Sequence, residues 1–391
     1  MVVWRYRDTV LILCTFAFFA TTVVRFAISP LAPNIVDTFV ISNTAFGLAL
    51  SGMWLAYGAA QYPSGFLGDR YGEREIIRIA VGGSTLAALA LVFSPVFVLF
   101  LLALTLLGAT AGLHYSVATT LLSRTHKHIG TAIGIHNAGA TVAGLLTPVV
   151  VSWIAIRFGW RLSLASVALV GLPVTVAFGW KVRSTEPLHP RTPIRERFEF
   201  SHARSFFSRP PIVFTLGLAT IGEFVWQGTT SFLPIFLIEH RGTSTTAAAG
   251  LFSAYFLVQV LAQIGVGVVS DRLGRDRVVG GCFMVGVFGF GMLILLSSPL
   301  STIVGVALVG IAMSFGPGLM PRFICELSPD EQNTGFGLVR SVYMISASAG
   351  SMIVGLLADL LGWTISFGFL AVALLIACLL LLVNWLLQVG Y

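Results

Sequence analysis

The decapeptide GFLGDRYGER at residues 65–74 recurs as GVVSDRLGRD at residues 267–276. Each copy places an Asp-Arg pair and a glycine directly after a long apolar run, and a further apolar run follows each copy. A second pair of matches, GWRLS at residues 159–163 and GWTIS at residues 362–366, keeps almost the same register. Chance rarely preserves one register over so long a stretch, so the sequence predicts a duplicated unit.

The composition of the chain is that of a membrane protein. Of its 391 residues, 56% are hydrophobic and only 10% are charged, whereas about 25% of the residues of a soluble domain are charged. A soluble fold cannot bury that much apolar surface, while a lipid bilayer removes the need to bury it. The sequence therefore predicts an integral membrane protein.

Twelve apolar stretches are long enough to cross a bilayer, which requires about 20 mostly apolar residues. They are continuous runs and not short alternating segments, which excludes a closed barrel. The sequence therefore predicts an all-α membrane protein with twelve transmembrane helices in two pseudo-symmetric six-helix bundles. The predicted spans are, in order, residues 9–35, 43–67, 75–94, 96–122, 130–156, 161–181, 212–238, 247–269, 277–297, 301–325, 335–357 and 364–388.

The basic residues indicate which loops face the cytoplasm, since Lys and Arg are enriched there. Of the 23 Lys and Arg residues, only Arg157, Arg161 and Arg241 fall in loops opposite the N-terminus, while Arg25 and Arg340 fall within spans. Both termini are therefore expected in the cytoplasm, and the expected location is a prokaryotic cell (inner) membrane. The net charge of +7 follows this distribution, so no nucleic-acid partner is expected.

The longest polar stretch lies at mid-chain and separates the two copies of the repeat. It divides the chain into an N-terminal six-helix bundle over residues 1–182, a cytoplasmic linker over 183–210 and a C-terminal six-helix bundle over 211–391. The arginine-rich parts of the linker can lie along anionic lipid headgroups or form a solvated tether. The sequence leaves both alternatives open.

The repeated loop, with its G-x-L-x-D-R-x-G-x-R pattern in the first copy, resembles the signature loop of the major facilitator superfamily. The second copy departs from this pattern, because it lacks the middle leucine and carries Asp276 where a basic residue is usual. The resemblance covers nearly the whole chain. It implies a secondary transporter whose two helical bundles rock around a binding site near the bilayer midplane.

The resemblance also implies that both copies of the loop act as gates. The carboxylate of Asp69 is expected at the start of the eleventh span and that of Asp271 at the start of the fifth, where unpaired N–H groups favour an acid. A plain role in turns and topology is the alternative for these residues. The expected gating residues are Gly65, Asp69, Arg70, Gly72, Arg74, Asp271, Arg272, Gly274 and Arg275.

Three charged side chains stand out because they lie well inside predicted spans, where a charge costs about 2.5–3.5 kcal/mol. Arg25 lies in the middle of the first span and offers a planar fork that suits a carboxylate or phosphate. Together with the following element from Pro33 to Ile35, it is similar to organic-anion and phosphate-ester carriers of the superfamily, including anion:cation symporters. Arg25 is the expected anion ligand, and an internal ion pair with Glu223 is the alternative.

The other two charged positions lie in the second half of the chain. Glu223, in the seventh span, can bind and release a proton during transport or serve only as a counter-ion. Arg340 and Tyr343 lie one turn apart in the eleventh span and therefore share a face. Arg340 is either a second anion ligand or a side chain that snorkels to the cytoplasmic surface.

Further polar side chains within spans complete the candidate binding residues. A histidine in a span can titrate or donate a hydrogen bond to an anion, although packing against backbone is its commoner role. Gln227 is the repeat partner of Arg25, and Asn137 is that of Arg340. The additional candidates are Gln61, His114, His136, Asn137, Gln227 and Gln263.

No enzyme activity, cofactor or metal site is expected. The chain has no P-loop pattern for ATP, and its four cysteines lack the spacing of metal ligands. The sequence predicts instead a monomeric carrier of a small organic anion, carboxylate or phosphate-like, that works by alternating access with a coupled proton or other ion. The alternatives are efflux of hydrophobic or neutral compounds, a non-transporting membrane sensor or lipid-handling protein, and a membrane-embedded enzyme.

Overall fold

The structure is a computed structural model that describes residues 5–185, 207–326 and 332–387, so most of the predicted linker lies outside these ranges. Regular structure in the described ranges is helical. The helices before the linker are α1 Tyr6–Ala27, α2 Ala32–Phe39, α3 Asn43–Tyr71, α4 Glu73–Val92, α5 Phe97–Gly112, α6 His114–Thr125, α7 Ile129–Phe158, α8 Trp160–Ala168 and α9 Gly171–Lys181. Those after it are α10 Pro210–Glu239, α11 Thr245–Leu273, α12 Arg275–Leu295, α13 Pro299–Ala312, α14 Gly316–Glu326, α15 Gln332–Ala347, α16 Ala349–Leu361 and α17 Trp363–Leu386.

Length and composition alone identify ten membrane spans in the described part of the chain. An eleventh would be the pair α2 and α3, whose axes are bent by 117°. Helix α10 occupies the predicted seventh span and, with 30 residues, is long enough to cross a bilayer at 1.5 Å per residue. It is less apolar because it carries Glu223 and Gln227 within its middle turns. The predicted all-α membrane fold is confirmed.

Several predicted spans are broken helices and not continuous ones. The first predicted span is interrupted at residues 28–31, between α1 and α2. Other spans are interrupted between α5 and α6, α8 and α9, α13 and α14, and α15 and α16. Pro30 lies in the first break, where its missing N–H cannot continue the helix. At the α5–α6 break, the Leu113 amide donates to the Thr110 carbonyl at 3.2 Å, a tighter turn than that of an α-helix. This break places His114 at the start of α6.

The helices form two compact units. The first unit contains Met1–Phe39 and Gly52–Glu199, and the second contains Val40–Ser51 and Phe200–Tyr391. The beginning of α3 thus packs with the second unit, while the remainder of α3 packs with the first.

Glycines bring helices into direct backbone contact inside the first unit. A side chain at Gly108 of α5 would collide with the Met53 carbonyl of α3, and one at Gly112 would collide with the Tyr57 carbonyl. Small residues permit such close approach between helices in a membrane. The contact holds the part of α3 that carries Tyr57 against α5.

The N-terminus of α3 is capped by an acid of α16. The Asp359 carboxylate accepts hydrogen bonds from the backbone amides of Asn43 at 3.2 Å and Thr44 at 2.7 Å, and from the Thr44 hydroxyl at 2.6 Å. Free N–H groups at a helix N-terminus favour an acid. The ring of Phe46, one turn further, lies 5.9 Å from that of Phe232, so residues 43–46 are fixed to the second unit.

Each unit contains an ion pair that joins two of its helices. In the first unit, the carboxylate of Glu73, at the start of α4, lies 2.7 Å from the Arg124 guanidinium near the end of α6, and Glu73 is 2% exposed. In the second unit, Asp276 in the first turn of α12 pairs with Arg322 of α14. Each pair joins the helix that follows one copy of the repeated loop to a neighbouring helix.

Replacing Arg124 by alanine should destabilise the protein. Removing one member of a buried pair leaves an uncompensated charge and costs about 3–5 kcal/mol. The free energy of unfolding should fall by about 3 kcal/mol, the lower end of this range, because the Arg124 side chain is itself 32% exposed. Thermal unfolding of the purified protein in detergent measures it. Arg78→Ala is the matched control, since its partner Glu75 is 43% exposed and such pairs contribute about 1 kcal/mol or less. Equal losses in the two variants would contradict this account.

Replacing Asp359 by alanine should free the first turn of α3. Loss of a side-chain cap costs about 0.5–2 kcal/mol, which should lower the midpoint of thermal unfolding. Asp359→Asn retains an acceptor oxygen and should lose less. An alanine variant that is as stable as the wild-type protein would show that this cap contributes nothing.

Candidate functional site

Arg25 lies in the last turn of α1 and is 6% exposed. The prediction that it lies in the middle of a continuous helix is wrong, because α1 ends at Ala27. Its Nε donates to the Thr21 carbonyl at 3.2 Å, and its Nη2 donates to the Thr22 hydroxyl at 3.1 Å. The guanidinium is therefore turned back along its own helix. A cation in this position is also favoured by the negative end of the helix dipole.

Aromatic side chains of α3 surround the Arg25 guanidinium. Its central carbon lies 4.3 Å from the centre of the Tyr57 ring and 5.6 Å from that of Trp54. A cation at this distance from an aromatic face is stabilised by about 0.5–2 kcal/mol. Sequence analysis missed both residues. The sequence offered one indication of their role: positions 54, 57 and 61 share one face of a helix, so Trp54 and Tyr57 lie on the same side of α3 as the candidate Gln61.

Two histidines stack on one phenylalanine inside the first unit. The Phe18 ring centre of α1 lies 5.5 Å from that of His114 and 4.8 Å from that of His136. The two imidazole centres are 5.3 Å apart, and neither histidine is exposed. Tyr115 lies 5.6 Å from Phe18. The structure thus brings together the predicted candidates of α6 and α7.

Asn137 and Gln61 are the remaining predicted candidates in the first unit. Asn137 follows His136 on α7, and its Oδ1 is buried with no hydrogen-bond partner within the described ranges. Gln61 is 4% exposed and lies one turn beyond Tyr57 on α3. Gln61 is therefore buried on the helix that carries Tyr57, and Asn137 is half-buried on the helix that carries His136.

A second polar cluster lies in the second unit, around Glu223 of α10. Gln227, one turn along the same helix, donates to the Glu223 carboxylate at 3.4 Å and is fully buried. Arg340 of α15 lies within electrostatic range of the Glu223 carboxylate, as does the hydroxyl group of the buried Tyr255 of α11. Tyr255 was missed, because a tyrosine among apolar residues gives no distinctive signal in a sequence.

The other candidates of the second unit lie on the same two helices. Tyr343 lies one turn beyond Arg340 on α15 and is 6% exposed. Helix α11 presents Tyr255, Gln259 and Gln263 at four-residue spacing, and Gln263 is half-buried. Gln259 donates to the Met313 carbonyl at 2.9 Å, which satisfies a backbone group at the end of α13.

The first gating loop is tied to the end of α9. Gly72 has φ +87°, a conformation that favours glycine, and a side chain there would meet the Thr185 carbonyl at 2.6 Å. The Arg74 guanidinium donates to the Gly179 carbonyl. Asp69 and Arg70 are half-buried at the end of α3. A Cβ atom added at Gly65 would lie 3.7 Å from the Ser116 hydroxyl of α6.

The second predicted gating loop also leads into an acid that pairs with an arginine, although this acid stands one position later in the motif. Asp271 and Arg272 are exposed, and Gly274 has φ +91°. Arg275 donates towards the Pro321 carbonyl at 3.5 Å, while the following residue, Asp276, pairs with α14 as described above. The order Glu-Arg of residues 73–74 thus becomes Arg-Asp in residues 275–276, which explains the acid at a usually basic position.

Comparisons with known proteins agree with this architecture. The family model of the Major Facilitator Superfamily matches residues 14–252 and 224–389. The gallate transporter of Pseudomonas putida is 26% identical over 425 aligned residues, which cover 97% of this chain and 92% of that protein. The 4-hydroxybenzoate transporter PcaK of Pseudomonas putida is 27% identical over 416 aligned residues, which cover 92% of this chain and 88% of that protein.

A crystal structure of a bacterial homolog of the human lysosomal transporter Spinster has the same fold. It superposes with a TM-score of 0.81 at 18% identity and covers 97% of both chains. The repeated loop, the helical spans and a family match over nearly the whole sequence lead to one conclusion: this chain belongs to the Major Facilitator Superfamily.

Proposed function

We propose that this chain carries a small organic anion, a carboxylate or a phosphate-like group, across the membrane by alternating access. The observation that carries the proposal is the buried Arg25 guanidinium, held between its own helix and the rings of Tyr57 and Trp54. Two relatives that match almost the full chain are named for the carriage of gallate and of 4-hydroxybenzoate, both aromatic carboxylates.

Arg25 is the proposed principal anion ligand. A guanidinium presents five N–H donors in a planar fork, which suits the two oxygens of a carboxylate or phosphate. Its positive charge inside a span is costly unless it serves an anion or an ion pair. The rings of Tyr57 and Trp54 fix its position, so less rotamer entropy is lost when an anion binds.

The remaining polar side chains of the first unit would contact other parts of the same substrate. His114 and His136 can each donate or accept a hydrogen bond through a ring nitrogen, and Asn137 and Gln61 add amide groups. These four side chains are buried or half-buried in α3, α6 and α7 of the same unit. We assign them to substrate binding.

In the second unit, Arg340 is the proposed second anion ligand and Glu223 the proposed coupling group. The Glu223 carboxylate is bonded to Gln227 and lies near the Arg340 charge, so its protonation state would respond to an anion that binds Arg340. A proton or cation at Glu223 would then travel with the substrate. Tyr343, Gln227 and Gln263 would complete this part of the binding site.

The loops at residues 65–74 and 267–276 would act as gates of the alternating-access cycle. Their carboxylates, Asp69 and Asp271, would each bind the start of a partner helix when one side is closed and release it when that side opens. We further propose a monomer in a prokaryotic cell membrane with both termini in the cytoplasm, as the distribution of basic loop residues favours.

Replacing Arg25 by glutamine should abolish anion uptake. Loss of a desolvated charged contact costs about 2–5 kcal/mol, which corresponds to a fall of about 30-fold or more. Uptake of radiolabelled 4-hydroxybenzoate, gallate and glycerol 3-phosphate into proteoliposomes measures the effect. Arg161→Gln is the matched control. Arg161 donates to the Val92 and Ser94 carbonyls at 3.2 Å and makes none of the contacts that hold Arg25.

Wild-type uptake by a folded Arg25→Gln variant would refute the assignment of Arg25. Inhibition of uptake by neutral hydrophobic compounds, but not by anions, would instead support the efflux alternative. The absence of counterflow for any solute would support a sensor.

Replacing Glu223 by glutamine should uncouple transport from the ion gradient. The glutamine keeps the shape and the hydrogen bond to Gln227 but cannot bind and release a proton, so a pH gradient should no longer drive accumulation while anion exchange continues. Glu239→Gln is the control, because Glu239 lies at the end of α10 and accepts a hydrogen bond from Trp363. Unchanged gradient-driven accumulation in Glu223→Gln would exclude Glu223 as the coupling group.

A further inference from the structure

An apolar stripe on the outer face of α9 ends beside exposed basic residues. Leu172, Val176 and Trp180 are all exposed, Trp180 by 78%, and their four-residue spacing places them on one face of the helix. Lys181 follows as the last residue of α9. Because α8 and α9 together form one membrane span, the stripe faces the hydrocarbon. Trp180 then lies near the lipid headgroups, where tryptophan is enriched.

Aromatic rings hold two cations in place at this end of α9. The Lys181 ammonium lies 4.4 Å from the centre of the Trp180 ring. The Arg183 guanidinium lies 4.8 Å from the centre of the Tyr6 ring of α1, and the Arg183 amide donates to the Tyr6 hydroxyl at 2.8 Å. Val182, between the two cations, is buried and has an extended backbone. Residues 181 and 183 therefore point together to the outside.

Neither of these two cations has an acidic partner among residues 5–185, 207–326 and 332–387. The acids at the starts of α1 and α4 are already paired, Asp8 with Arg7 at 3.7 Å and Glu75 with Arg78 at 2.8 Å. The enrichment of basic residues on one side of a membrane explains the sign of the two charges. It does not explain why aromatic rings fix their positions.

We propose that the end of α9 binds one anionic phospholipid, whose phosphate contacts Lys181 and Arg183 and whose acyl chain lies along the apolar stripe. The ammonium and the guanidinium can both donate hydrogen bonds to phosphate oxygens. Phosphatidylglycerol presents its phosphate charge uncompensated, whereas phosphatidylcholine carries a cation of its own, which the two basic side chains would repel. The charge of the site therefore favours an anionic headgroup.

This lipid would fix the beginning of the predicted linker to the membrane surface. Arg183 is the first residue of that linker, and its position at the headgroups favours, for this part of the linker, a course along the lipid surface over a solvated tether. The proposal goes beyond the proposed transport function, since it requires neither Arg25 nor a transported anion.

Native mass spectrometry of the purified full chain, with phosphatidylglycerol or phosphatidylcholine added in equal amounts, tests the proposal. The wild-type protein should retain phosphatidylglycerol in preference to phosphatidylcholine. Lys181→Gln and Arg183→Gln should each weaken phosphatidylglycerol binding by about five-fold, the contribution of one basic residue near an anionic surface. Lys181→Arg keeps the charge and should bind like the wild-type protein.

Lys127→Gln is the matched control, because it removes the charge of an exposed lysine from the loop between α6 and α7 and should leave phosphatidylglycerol binding unchanged. Inorganic phosphate in excess should not displace the lipid, since it has no acyl chain to contact the apolar stripe. All variants should unfold at the same temperature without added lipid, because the substituted side chains are exposed.

Phosphatidylglycerol binding that is as tight in Lys181→Gln and Arg183→Gln as in the wild-type protein would overturn the proposal. Equal retention of phosphatidylglycerol and phosphatidylcholine by the wild-type protein would also overturn it, because the charge of the site would then have no effect. Displacement of the lipid by inorganic phosphate would reassign the two cations to a free anion.

Discussion

Lipid offers no hydrogen bonds, and this constraint decides where the polar groups of the chain lie. Hydroxyl groups within the helices bond to carbonyls of their own turn, as Thr15 does to Leu11 at 2.8 Å and Ser84 to Ala80 at 2.6 Å. Arg25 follows the same rule through its contact with Thr21. The positive charge of the guanidinium is costly inside a span unless it serves an anion or an ion pair, and this is why Arg25 is the proposed place for an anion.

Both halves of the chain have an ion pair that joins the start of the helix after the repeated loop to a neighbouring helix, but different residues of the motif form it. Glu73 pairs with α6 in the first unit, and Asp276 pairs with α14 in the second, from adjacent positions of the aligned motif. Electrostatics requires only an acid and a base at short distance near two helix ends, so either order of the two charges satisfies it. A departure from the family pattern in sequence is thus compensated by an exchanged pair in space.

Each unit places an arginine and a titratable side chain inside its helices. In the first unit these are Arg25 and the stacked histidines, and in the second they are Arg340 and Glu223. The two centres differ in the sign of the titratable group, since an imidazole gains a positive charge with its proton while a carboxylate loses a negative one. In the proposed transport cycle, an anion that binds either arginine changes the electrostatic environment of the nearby titratable group.

The sequence by itself determined the helical spans, their order and the duplication, because lipid requires long apolar runs and because the repeated loop keeps its register. It also identified Arg25, Glu223, His114 and His136, since polar groups stand out in apolar segments. Only the tertiary structure decided that Tyr57 covers Arg25, that Phe18 joins the two histidines and that Asp359 caps α3. Helices in lipid are apolar on nearly all faces, so hydrophobic periodicity does not reveal which face of a helix packs against which neighbour. Small residues such as Gly108 and Gly112 decide which faces pack together, because they let two helix backbones approach closely.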